Sequence, residues 1–67
     1  MIIYVHTTAY QVDKNTSVFD FVTLILKREC TGIALAINEN IIPINKWEST
    51  YLNENDKLLI IKAVAGG

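Results

Sequence analysis

Apolar positions recur along this chain at changing spacings, and each spacing predicts a different element. Ile2-Ile3-Tyr4-Val5 is an unbroken β-branched and aromatic run, which predicts a first strand. Thr7-Thr8-Ala9 turns it, and Tyr10-Gln11-Val12 returns antiparallel as a short second strand. The polar stretch Asp13-Lys14-Asn15-Thr16 closes that hairpin. From Val18 the period becomes helical. Val18, Phe21, Val22 and Ile25 form one apolar stripe, predicting a helix over residues 18–28. Ser17 stands before that run with Asp20 three residues later, a capping box with the shorter acid. Lys27 and Arg28 in the last turn complement the helix dipole, and Gly32 suits the exit.

The second half returns to strands. Ile33-Ala34-Leu35-Ala36-Ile37 alternates large and small side chains at a period of two. Asn38-Glu39-Asn40 turns it, Ile41-Ile42 makes a short strand, and Pro43 ends that strand. Residues 44–55 read as irregular, with one helical turn around Lys46-Trp47-Glu48, and Leu58 to Val64 makes the final strand. The element order is β-β-α-β-β: an α+β fold in which a small mixed sheet wraps one helix.

A sheet carrying one helix has one covered face and one bare face. In the last strand Leu58 and Ile60 point one way, Leu59 and Ile61 the other. A solvated sheet face normally alternates to polar residues, and neither pair does. One pair therefore lies on the open face, with Ala34 and Ala36 or their neighbours beside it, as an apolar patch of the kind that marks partner surfaces. The bland counterpart is that Trp47 and Tyr51 fold over part of that face.

Composition removes several function classes. Sixty-seven residues make one small domain with no room for a large enclosed catalytic site. The chain is 51% hydrophobic, with six Lys and Arg against seven Asp and Glu. It has no basic run for nucleic acid. No apolar stretch is long enough to span a bilayer, and the first residues lack the charged start of a signal peptide. One cysteine, Cys30, makes no internal disulfide, so a cytoplasmic setting is expected.

After the last strand come Ala65, Gly66 and Gly67. Two residues without side chains make a thin tail that a narrow channel can hold extended, and they leave a carboxylate on Gly67 unobstructed. The expected division is residues 1–64 as the folded domain and 65–67 as a flexible tail, with Gly67 as the candidate reactive site. Small residues also collect at ordinary frayed ends.

These residues together resemble a known family. The segment from Ala34 through Asn38 to Pro43, then Trp47, then Leu52 with Asp56, then Val64-Ala65-Gly66-Gly67, is similar to the ThiS family of ubiquitin-like β-grasp sulfur carriers. Two positions depart from the family pattern. Ile44 follows Pro43 where Arg is common, and Asn55-Asp56 replaces a Gly-Asp turn. The resemblance implies that Gly67 is adenylated by a ThiF-type enzyme using ATP, with no cofactor bound to the carrier itself. It implies that a cysteine desulfurase-derived persulfide then converts Gly67 to a thiocarboxylate, and that a ThiG-type thiazole synthase consumes the sulfur during thiamine synthesis. Gly66 and Ala65 are then the tail that partners recognise, and Leu59, Ile61, Ala34 and Ala36 the partner interface. The resemblance implies that the chain is a substrate of its activating enzyme and is not itself an enzyme.

The remaining candidates weigh toward structural roles. Cys30 is an isolated small hydrophobe. His6 has no second ligand with which to hold a metal. Trp47 is a packing anchor, and Glu48, Glu54 and Asp56 are a possible acidic surface for an activating enzyme. Two alternatives stay open. One is a sulfur carrier like the small subunit of molybdopterin synthase, disfavoured by Pro43 and Trp47; the other is a ubiquitin-like binding or modifier module.

Overall fold

Ile3 and Val5 point together from strand β1 (Ile2–Val5) into the interior, as the period of two requires. A computed structural model describes residues 1–62. Strand β2 (Thr8–Gln11) pairs antiparallel with β1, starting two residues earlier than the sequence reading placed it. The reason is the turn, which is the two-residue connection His6-Thr7. His6 supplies the left-handed conformation such a tight hairpin needs, with φ of 55°, although it is not glycine. Its backbone N–H donates to Leu58 O at 3.0 Å, and its ring Nε2 lies 3.2 Å from Ile60 O.

Ser17 caps the helix as expected, its hydroxyl accepting from the Asp20 N–H at 3.1 Å. The helix itself departs from the sequence reading. Helix α1 spans only Val18–Asp20 and widens at once into a π-helical stretch, Phe21–Ile25. Leu26 N–H donates to Phe21 O at 3.0 Å, a five-residue step. Val18, Phe21 and Val22 are buried, but Ile25 is 41% exposed and Leu26 packs on the core instead. The wider turn brings the fifth residue, not the fourth, back over Phe21. Lys27 then takes a left-handed conformation with φ of 55°, and Arg28 N–H donates to Val22 O at 3.0 Å. Lys27 and Arg28 therefore lie beyond the last turn rather than within it. Gly32, with φ of 80°, sits in the turn that leads into the next strand and not at the helix exit.

Strand β3 (Ile33–Ile37) matches its prediction, and β4 is Asn40–Ile41. The β3–β4 turn is the pair Asn38-Glu39, both with positive φ. A 3₁₀ turn, Ile44–Lys46, follows Pro43 in place of a turn centred on Trp47. Strand β5 (Lys57–Lys62) closes the described chain. Just before it, Asn55 holds a φ of 68° where the family pattern has glycine; asparagine is among the few residues that visit this region readily.

The sheet order is β2-β1-β5-β3-β4. β5 runs parallel to β1 and antiparallel to β3, so the strand nearest the end of the described chain occupies the middle of the sheet. Helix and sheet enclose a core of Ile3, Val18, Phe21, Val22, Leu35, Trp47 and Leu58. Tyr10 meets Phe21 edge to face at 5.5 Å, tying β2 to the helix.

Candidate functional site

The open face of the sheet is settled by which residues of β5 the helix covers. Leu58 and Ile60 are 2% and 7% exposed beneath the helix, whereas Leu59 and Ile61 are 45% and 52% exposed. The second of the two parities, with Leu58 and Ile60 outward, is thereby excluded. Ala36 lies opposite Leu59 and Ala34 opposite Ile61 across β3 and β5, and directly opposed residues share a face. The sheet thus brings together the four side chains singled out in the sequence. Ala36 is itself buried beneath its larger neighbours.

A fifth apolar residue joins them. Ile41 is opposite Ala36 on the other side, across β3 and β4, and is 73% exposed. The face therefore has a row of small side chains along β3, flanked by Ile41 on one side and by Leu59 and Ile61 on the other. Sequence reasoning placed Ile41 in a strand but missed its facing, because only the pairing register reveals it. At the β5 end of this face a shallow concavity of about 440 Å³ is lined by His6, Ala36, Asn38, Glu39, Lys57, Leu58 and Leu59.

Neither Trp47 nor Tyr51 covers the face. Trp47 is buried in the core on the helix side, its Nε1 donating to Ile42 O at 2.8 Å and its carbonyl accepting from Phe19 N–H. Tyr51 pairs with Ser17, the helix cap. Trp47 is thus the packing anchor that its isolation in a polar segment indicates.

Two of the three carboxylates suggested as an acidic surface have other work. Asp56 is buried, accepting from Asn53 N–H at 2.8 Å and from Asn38 Nδ2 at 3.0 Å. Glu54 Oε2 accepts from Ile2 N–H at 2.7 Å, fastening the start of β1. Of the three, Glu48 alone accepts no such bond, so these residues form no acidic cluster. His6 is more than a strand-end residue. β1 stops at Val5, and the His6 ring reaches the Ile60 carbonyl that a longer β1 would have met. Cys30 is half-buried against the core and unpaired.

Among the described residues no cluster of His, Cys, Asp and Glu could hold a metal, and no helix is long and apolar enough to cross a membrane. Ala65, Gly66 and Gly67 lie outside the described residues, as do the final two residues of the expected last strand, Ala63 and Val64.

A five-stranded mixed sheet grasping one short helix, with its other face bare and apolar, defines a small ubiquitin-like β-grasp protein. The pattern of the ThiS family matches residues 4–67, and the chain belongs to that family. Sulfur carrier protein ThiS of Escherichia coli is 36% identical over 42 residues, covering 63% of this chain and 64% of that protein. An uncharacterized protein of Porphyra purpurea, ycf40, is 46% identical over 35 residues, covering 52% and 49% respectively. The matched stretch spans less than two-thirds of either relative. The crystal structure of a thiamine biosynthesis protein, ThiS, from Geobacter metallireducens superposes with a TM-score of 0.84 over the whole of both chains at 14% identity, a likeness of fold.

Proposed function

We propose that this chain carries sulfur for thiazole formation in thiamine synthesis, in the cytoplasm, with Gly67 as its covalent site. The observation that carries this reading is the family match, which extends through Gly66-Gly67 to residue 67. Residues 1–64 serve as the handle, and Ala65-Gly66-Gly67 as the tail that enters partner active sites.

The chemistry follows from the carboxylate. An α-carboxyl titrates at about 3.3–3.7 and is an anion at neutral pH, too electron-rich at carbon to accept a nucleophile. A ThiF-type enzyme transfers AMP from ATP onto the Gly67 carboxylate, releasing pyrophosphate and installing a leaving group. The terminal sulfur of a persulfide, drawn from a cysteine desulfurase, attacks the carbonyl carbon and expels AMP. A thiol then cleaves the resulting sulfur–sulfur bond and leaves the thiocarboxylate on Gly67. Its sulfur is the nucleophile delivered to a ThiG-type thiazole synthase. The carrier holds no cofactor and performs none of the catalysis. The open face around Leu59, Ile61, Ala34 and Ala36 docks the activating enzyme.

Intact-protein mass spectrometry after incubation with ATP, a ThiF-type enzyme and a sulfur source tests this. The expected product has one oxygen replaced by sulfur at Gly67, lost on deletion of Gly67 and retained in Cys30→Ser. Sulfur mapping to Cys30, or no adenylate with a competent enzyme, overturns it.

A further inference from the structure

The two edges of the sheet are built differently. The β4 edge is only two residues long and is followed within two positions by Pro43, which shields it against further pairing. The β2 edge has four residues, Thr8, Ala9, Tyr10 and Gln11, with no charge, no proline and no bulge to blunt it. Tyr10 packs edge to face on Phe21, so this strand is held from the helix side as well as by β1.

Hydrogen-bond direction along β1 fixes which groups β2 presents. Tyr4 and His6 donate their backbone N–H groups to Asp56 O and Leu58 O, toward β5. Ile3 and Val5 therefore bond toward β2, with their partners Tyr10 and Thr8. Val12 N–H points the same way, to Met1 O at 2.8 Å. By alternation Ala9 and Gln11 turn both N–H and C=O outward.

We propose that this edge pairs antiparallel with the same edge of a second copy of the chain, about a two-fold axis through Tyr10. In that register Ala9 of each copy faces Gln11 of the other, and each such pair exchanges two N–H···O bonds, four in all. Shifting the register in either direction moves the outward groups opposite the turn residue Thr7 or the loop residue Asp13 and loses bonds. The surface is self-complementary, as a two-fold interface requires, and the uncharged strand sets no like charges against each other. Two Tyr10 side chains meet across the axis on the helix side. The seam lies beyond β1 from β5, so Leu59, Ile61 and Ile41 stay free for a different partner in both copies. The pairing does not depend on any sulfur chemistry. A four-residue edge buries far less than the roughly 1,200 Å² of stable complexes, so the dimer is weak and dissociates on dilution.

The test is isotope-edited NMR and sedimentation velocity on the full chain from low micromolar to millimolar concentration. The amides of Ala9 and Gln11 are expected to shift with concentration as the sedimentation coefficient rises. Ala9→Pro is expected to abolish both effects, since an outward N–H at a sheet edge is where proline is tolerated. Ala9→Lys, which keeps the backbone donor but adds charge at the seam, tests the same point should the proline variant misfold. Shifts confined to Ile41, Leu59 and Ile61, no concentration dependence, or self-association of Ala9→Lys at the level of the parent chain each overturn the proposal. So do shifts at β2 that arise only on adding an activating enzyme, because the edge then serves that partner.

Discussion

Asn38 Nδ2 donates to Asp56 Oδ1 at 3.0 Å, tying the β3–β4 turn to the loop that feeds β5. The same Asn38 side chain accepts from Lys57 N–H at 3.0 Å, and its backbone N–H donates to Lys57 O at 2.8 Å. One amide and one buried carboxylate thus fix where the central strand begins. Asp56→Ala leaves the Asn53 N–H and the Asn38 amide without their acceptor, and is expected to cost about 1–3 kcal/mol in urea denaturation. Asn38→Ala should cost a similar amount, and the double variant clearly less than the sum of the two. Full additivity would show that the two side chains act independently.

The π-helical turn makes a prediction opposite to that of the helical stripe. Leu26→Ala is expected to destabilise by about 1–3 kcal/mol, because Leu26 packs where the fifth residue of the turn returns to the core. Ile25→Ala should change stability by only about 0.5 kcal/mol. A regular α-helix through this segment would reverse that ranking in the same denaturation experiment.

Trp47→Phe keeps an aromatic ring in the core but removes the donor to Ile42 O. The expected loss is about 1–3 kcal/mol, since the Ile42 carbonyl then has no partner at that site. If a thermal melt of Trp47→Phe coincides with that of the parent chain, the bond does not contribute.

If the exposed face docks the activating enzyme as proposed, parity in β5 separates folding from binding. Leu59→Asp and Ile61→Asp place charge on an exposed face, so folding is expected to survive while affinity for a ThiF-type enzyme falls by about tenfold or more. Leu58→Asp or Ile60→Asp buries a carboxylate beneath the helix and is expected to cost about 4 kcal/mol or more. Calorimetry and circular dichroism distinguish the two outcomes. Unchanged binding of both exposed-face variants would mean that the enzyme docks elsewhere.

Much of this architecture was legible in the residue pattern, and the exceptions have physical causes. Val18, Phe21 and Val22 announced the buried helical face, and the large–small alternation of residues 33–37 announced β3. Ile25 and Leu26 exchanged roles because both are apolar, so a period-based reading cannot see a five-residue hydrogen bond. Leu58 to Ile61 are apolar at every position, so their parity is visible only in which pair the helix buries. The position of the first turn is hidden in the sequence because His6 carries no local sign of a left-handed backbone; contacts with Leu58 O and Ile60 O, more than fifty positions away, hold it there. Asp56 looks like a surface charge in the sequence because its partner Asn38 is distant along the chain. Of the site, the four face residues could be named in advance, whereas Ile41 required the sheet register.

The central place of β5 bears on how the domain forms during synthesis. A nascent chain cut short before Lys57 holds two hairpins, β1–β2 and β3–β4, with no strand to join them. Each hairpin lacks its β5 neighbour until that strand is made, and the helix beside them covers a core that Leu58 and Ile60 of β5 complete. The cooperative fold therefore waits until translation has passed Lys62, and its long-range closure slows it further. A product ending before Lys57 lacks the pairings of β5 with β1 and with β3, and is expected to be cleaved faster by proteases than the complete domain. The last strand to be made is thus the one that joins the two halves of the sheet.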